Sequence, residues 1–299
     1  MVFYTLVSLV HALSLLPDFV LLPLGAAGGW FAYRCDRRHV RIGMRNLEIA
    51  FPQQSVTARQ RILRASYVNF GRSCAEYIRL GGFFYRRILK KISYDRIDYW
   101  DEIQRRYPGK GALVLTAHFG NFEWMLAGHA LHAYPIGLVH HTQRFVAGDA
   151  LMSFVRERAG VRIIRKHAAA RAVLKELRAG HVVGIPFDQN AKRSEAIFVP
   201  FFNELAATSA GLARLVAISG APVIPVFIVR APDRRTHHVE IQDEIQLQRS
   251  GDQAADIAEN TRRFVQAIEG IVRRYPEQFL WMHRRYKTRP PGAPKIYAE

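Results

Sequence analysis

The chain opens on an almost unbroken apolar run. From Val2 to Tyr33 the only formal charge is Asp18, and an arginine cluster follows at once in RCDRRHVRIGMR. A run of this length is sufficient to cross a bilayer. Pro17-Asp18 interrupts it, and an aspartate at mid-membrane costs roughly 2.5–3.5 kcal/mol on insertion scales. The pattern predicts a retained membrane anchor over residues 1–34, either one span or a broken, partly inserted helix pair, with a buried core helix as the plain alternative. MVFYT carries no basic residue, which argues against a cleaved signal peptide. If the run spans a membrane, the arginines at 34–45 behind it place residues 35–299 on the cytoplasmic side.

Beyond the anchor the period changes. Ser55 or Thr57 caps a helix with Ile62, Leu63, Tyr67 and Phe70 at helical spacing. Short β-rich runs then alternate with helical stretches. GALVLTA (111–117) precedes NFEWMLAGHALHA; IGLVH (136–140) precedes DALMSFVRERAG; VRII (161–164) precedes AAARAVLKELRAG, closed by Gly180, and HVVGIPF. AIFVPFF, the helix TSAGLARLVAISG, APVIPVFIV, a strand at 236–243 and a long amphipathic helix at roughly 254–274 complete the series. This order predicts an α/β fold, a mainly parallel sheet flanked by helices, as one catalytic domain over 35–299.

Composition narrows the partners. At 299 residues and 49% hydrophobic the chain buries a sizeable core, and its formal net charge of +18 calls for an acidic partner. The basic residues are scattered through most elements, which argues against nucleic acid. Cys35 and Cys74 have neither metal-ligand nor disulfide spacing; a reducing setting is expected, with each cysteine as a small core residue.

The candidate chemistry lies in TAHFGNFEW. With 12 histidines and 25 acidic residues, chance alone supplies about one His-x4-acid pair, and a second, His238 and Asp243, sits in a strand where the two side chains point to opposite faces. The first pair has a better context: His118 in a strand-to-helix turn eased by Gly120, Asn121 as helix cap, and Glu123 in the first helical turn. An imidazole near its ordinary pKa of about 6.5 acts as a general base, and a carboxylate on its other nitrogen fixes the tautomer. An ordinary turn histidine is the competing reading. His118, His140, His141 and Asp188 all follow predicted strands and converge on one sheet edge. The motif is not H-E-x-x-H, and no metal is expected.

With these residues in view, the chain resembles the bacterial lipid A biosynthesis acyltransferases, the late acyltransferases related to lysophospholipid acyltransferases. The resemblance runs through RNLEIAFP, HFGNFE, GIPFDQN, FVPFF, ATSAGLARLVAISGAPVIPVF and PEQFLWMHRRYKTRP in order. It implies a glycerolipid acyltransferase-like fold and a membrane-bound enzyme. That enzyme moves a fatty acyl chain from a thioester on acyl carrier protein, or on coenzyme A, to a glycolipid hydroxyl without a cofactor. It further implies His118 as general base, Glu123 orienting it, and Asn121, Asp188 and Gln189 at the substrate. The family's Arg-Pro pair after the next strand is replaced here by LVHHTQRFVAGD, where His141 or Arg144 would contact a phosphate or the thioester carbonyl, and the acceptor is left open. Another lysophospholipid or glycolipid acceptor, a thioester hydrolase with the same dyad, and a basic membrane-binding protein are the rival readings. Arg86, Arg87, Lys90, Lys91 and the tail HRRYKTR are assigned to acyl carrier protein and anionic lipid. FVPFF is a candidate acyl groove or a core strand, and Trp124 and Met125 are packing residues.

Overall fold

The computed structural model describes residues 1–132, 134, 136–140, 142–165 and 169–297. The N-terminal run folds as two helices, α1 (Val2–Ser14) and α2 (Asp18–Cys35), followed by α3 (Arg37–Ala50) and the long α4 (Val56–Gly81). The series then runs β1 (Ile92–Tyr94), α5 (Tyr99–Arg106), β2 (Leu113–Thr116), α6 (Phe122–Leu131), β3 (Ile136–His140), α7 (Val146–Arg158), β4 (Arg162–Arg165), α8 (Ala169–Arg178) and β5 (Val182–Pro186). The hairpin β6 (Ala196–Phe201) and β7 (Glu204–Ser209) follows, then α9 (Gly211–Ser219), β8 (Val223–Arg230), β9 (His237–Ile241) and α10 (Gln253–Arg274).

The sheet has the order β1-β9-β8-β2-β5-β3-β4. Strands β8, β2, β5, β3 and β4 are parallel, β9 runs antiparallel to β8, and β1 follows β9. The mainly parallel α/β prediction therefore holds. Side-chain alternation divides the interior. Leu113 and Leu115 of β2 and Phe227 and Val229 of β8 enter the core beneath α9 and α10, while Val114, Val226 and Ile228 enter the core beneath α5 and α6. Thr208 and Ser209, read as the start of the helix TSAGLARLVAISG, instead end strand β7, which pairs with β6.

At the N-terminus the single-span form of the anchor is not supported, and the run folds as a pair of helices. No helix among the described residues is long and apolar enough to cross a membrane. The apolar run breaks at Pro17, and Asp18 is tied to Arg79 at 2.8 Å and to Lys91. Helix α2 lies directly on α4, where a Cβ on Gly71 would sit 2.1 Å from the Gly25 carbonyl oxygen. Small residues at this crossing let the two backbones touch. Gly71→Ala is expected to force them apart at a cost of about 1–3 kcal/mol, read as a lower denaturant midpoint. Cys35 and Cys74 are exposed free thiols rather than core residues, each placed on the outer side of its helix.

Candidate active site

The site forms where β2 and β5 end side by side. Their register pairs Thr116 with Pro186, so His118 and Asp188 each lie two residues beyond the last pair. His118 Nδ1 is 2.9 Å from Asp188 Oδ1, and the His118 backbone N–H donates to the same oxygen at 3.1 Å. A carboxylate only accepts, so the imidazole proton resides on Nδ1 and the lone pair on Nε2. The Gln189 amide nitrogen is 3.3 Å from that Nε2. Asp188 is buried, whereas 25% of the His118 side chain is exposed, which leaves Nε2 within reach of a substrate.

Burial disfavours the imidazolium, but the adjacent Asp188 carboxylate outweighs it and raises the His118 pKa above its ordinary value. Asp188 is itself buried, and His118 holds its pKa below the usual carboxylate range despite that. Nearby His283 is neutral, its pKa lowered by burial to about 4, and its Nε2 accepts the Asn190 backbone N–H at 3.0 Å.

The carboxylate hydrogen-bonded to His118 is thus Asp188, whereas Glu123, expected in that place, is paired with Arg156. Glu123 faces the other way, where Arg156 of α7 grips both of its oxygens, Nε donating at 2.9 Å. Helix geometry is the reason: the first turn of α6 directs Glu123 towards α7, while the imidazole is drawn across the sheet edge to β5. Glu123 and Arg156 act on His118 through their fields, the first favouring and the second opposing the imidazolium. Sequence reasoning missed Arg156. Its one signal was a position seven residues after Asp149, on the same face of a helix.

Asn121, expected at the substrate, has both side-chain amide groups engaged inside the protein. It is buried, its Oδ1 accepting the Trp124 N–H at 3.2 Å and its Nδ2 donating to Glu76 at 2.8 Å. Asn121→Ala removes a helix cap and is expected to cost about 1 kcal/mol, up to 2, in an unfolding titration. Gly120 has φ of +56°, and a Cβ there would lie 1.9 Å from the Ile228 carbonyl oxygen, so the turn needs glycine. Arg144 is exposed on the segment before α7, and His141 lies outside the described residues. His238 and Asp243 do not pair with each other; Asp243 binds Arg96 at 2.7 Å.

The C-terminal segment backs the site. Gly120 N–H donates to the Gln278 carbonyl at 2.9 Å and Leu280 N–H to the His118 carbonyl at 3.2 Å. Arg285, assigned to docking, is buried and donates to the Gln189 and Ala207 carbonyls and to Thr208 Oγ1. Arg289 binds Glu204 at 2.7 Å and Lys91 binds Asp18, whereas Arg86, Arg87 and Lys90 remain exposed. In FVPFF, Val199, Phe201 and Phe202 are buried in the core while Pro200 is exposed, and Trp124 and Met125 are buried as expected. Among the described residues no group of three or more His, Cys, Asp or Glu could hold a metal.

The sequence pattern of one family, bacterial lipid A biosynthesis acyltransferase, matches residues 1–288. The chain belongs to that family. As a lipid A acyltransferase family member it is an O-acyltransferase, which sets aside the non-enzymatic reading. It is 28% identical over 284 residues to the lipid A biosynthesis lauroyltransferase of Escherichia coli K12, a match covering 94% of this chain and 90% of that protein. The palmitoleoyltransferase of the same organism is 28% identical over 287 residues, covering 94% and 90%. The myristoyltransferase is 24% identical over 293 residues, covering 97% and 88%. These acyltransferases are named for different acyl chains, so the family alone does not specify the chain this acyltransferase carries.

Proposed function

We propose that the protein moves a fatty acyl chain from an acyl thioester, carried on acyl carrier protein, to a hydroxyl of a glycolipid such as a lipid A precursor, with His118 as general base. The observation that carries this reading is the imidazole: Nδ1 held by buried Asp188, Nε2 at the accessible edge. Nε2 takes the acceptor hydroxyl proton as its oxygen attacks the thioester carbonyl carbon. A C–O bond forms, the C–S bond breaks, and the imidazolium returns its proton to the departing thiolate. Asp188 stabilises the imidazolium between these steps. The turn 118–123 holds no serine or cysteine, which favours direct attack over an acyl-enzyme. Gln189 beside Nε2 supplies a polar contact at the reacting centre, and the Arg156–Glu123 pair acts on His118 through its field.

A membrane-facing orientation is supported by the outer sides of α1 and α2, where Val2, Tyr4, Leu9, Phe19, Leu24, Trp30 and Phe31 are exposed. Arg34, Arg37, Arg38 and Arg41 stand exposed at the end of this surface. Apolar side chains flanked by arginines suit the interface of an anionic bilayer, with the inner membrane's cytoplasmic face as the proposed location. Arg86, Arg87, Lys90 and Lys287, all exposed, are candidates for the acidic carrier protein.

The test is product analysis with purified protein, an acyl-acyl carrier protein and a lipid A precursor. Wild type is expected to add one acyl chain to the precursor, and His118→Ala to lose about 10²–10⁴ in turnover with an unchanged unfolding midpoint. Free fatty acid as the sole product would make the enzyme a hydrolase. Retained turnover in the folded variant would remove His118 from the chemistry.

A further inference from the structure

The ion pair beside the catalytic imidazole is itself held from behind. Arg156 uses Nε and Nη2 on Glu123, and its Nη1 lies 2.8 Å from Nδ1 of His140, at the end of β3. A guanidinium only donates, so Nδ1 of His140 carries the lone pair. Its proton is then on Nε2, which is 2.7 Å from Asp149 Oδ1. The same oxygen accepts the Gln143 backbone N–H at 2.8 Å, and Arg165 approaches the other at 3.8 Å. His140, Asp149 and Arg156 are all buried, at 3%, 6% and 4% exposure.

Helix α7 thus presents an acid near its start and a base two turns later on one face, with the imidazole of β3 wedged between them. The chain of contacts Asp149–His140–Arg156–Glu123 has one consistent assignment of protons. We propose that His140 is a positioning residue for acyl transfer: Asp149 fixes its tautomer, and His140 in turn holds the Arg156 guanidinium square to Glu123 at the edge of the His118 site. The proposal rests on the acyl-transfer reading above. Arg156 has a planar fork of donors, and a bidentate grip on a carboxylate is lost by a small rotation. The third anchor, on Nη1, prevents that rotation. Preorganisation of this kind affects the chemical step more than ground-state binding.

The experiment compares His140→Phe, His140→Gln and Asp149→Asn, alone and combined with Glu123→Gln, in the full-length protein with an acyl-acyl carrier protein and a lipid A precursor. Phenylalanine fills the site without polar atoms. Glutamine offers one acceptor and one donor in place of the two ring nitrogens. His140→Phe is expected to lower kcat by roughly 10²-fold with little change in KM, and His140→Gln to recover most of it. In the Glu123→Gln background His140→Phe should add little further loss, because both act through one guanidinium. Asp149→Asn reports on the same contact should His140→Phe not fold, and its expected signature is again lower kcat at similar KM. The proposal is overturned if these variants keep wild-type kcat in the folded fraction, or if the losses simply multiply with that of Glu123→Gln. His118→Ala is run in parallel: its retained turnover would defeat the acyl-transfer reading whatever His140 does.

Discussion

Asp188→Asn should lower kcat by roughly 10²–10⁴-fold while leaving the fold largely intact. The replacement has nearly the same shape, but it removes the charge that stabilises the imidazolium. Because the His118 backbone N–H and Nδ1 both meet Oδ1, the amide oxygen keeps both contacts, and the expected loss comes from the missing charge. The pH profile supplies an independent readout. Asp188 raises the His118 pKa despite burial, so the acidic limb of wild-type kcat/KM is expected above the ordinary value of about 6.5, and the residual activity of the variant should show that limb displaced to lower pH. Unchanged kcat and an unmoved limb would mean that another group holds His118. The signs for stability differ between the partners. The raised His118 pKa contributes stability that is complete below its unfolded value and fades as pH rises through the folded one. The lowered Asp188 pKa contributes stability above its unfolded value that fades on acidification. Their pair therefore stabilises the fold most between roughly pH 4 and 6.5.

Glu76→Gln is expected to destabilise the protein by about 3–5 kcal/mol, the range for removing one partner of a buried ion pair. Glu76, on α4, binds Arg230 of β8 through both oxygens, Nη2 to Oε2 at 2.8 Å, and accepts from His237 Nε2 of β9 at 3.0 Å. All three are buried. Burial alone would raise the carboxyl pKa, yet His237 and Arg230 hold it down at about 2. The stability this confers is present above the unfolded value near 4.5 and is lost as pH falls towards 2. Urea titrations at neutral pH should show the lowered midpoint, and the gap between wild type and variant should narrow on acidification. Equal midpoints would show that the network relaxes around glutamine. Because Asn121 also donates to Glu76, the variant should lose activity as well, through a loosened 118–121 turn.

The strand and helix order was legible because β2 and β8 are fully buried runs and β5 a largely buried one between helices of ordinary length, and the ends of β2 and β5 were correctly read as meeting on one edge. The partner of His118 was harder to read. Glu123 stands five residues away in sequence, while Asp188 is joined to His118 only through the parallel register of β2 and β5, a long-range fact without a local signature. Arg156 is hidden for a similar reason, since nothing in DALMSFVRERAG distinguishes it from Arg158 until α7 is docked. Hydropathy alone reads residues 2–33 as membrane-seeking, and the break at Pro17 was visible. The contact of α2 with α4 is written in the spacing of Gly25 and Gly29, which a hydropathy reading passes over.

The turn bearing His118 is tied to residues near the other end of the protein, through Gly120 to Gln278 and through His118 to Leu280. During synthesis, therefore, the strand and turn that carry the general base emerge well before the segment that braces them. A nascent chain holding residues 1–275 lacks these two backbone contacts. The turn bearing His118 is therefore braced only after residues 276–280 have been made and folded back onto it.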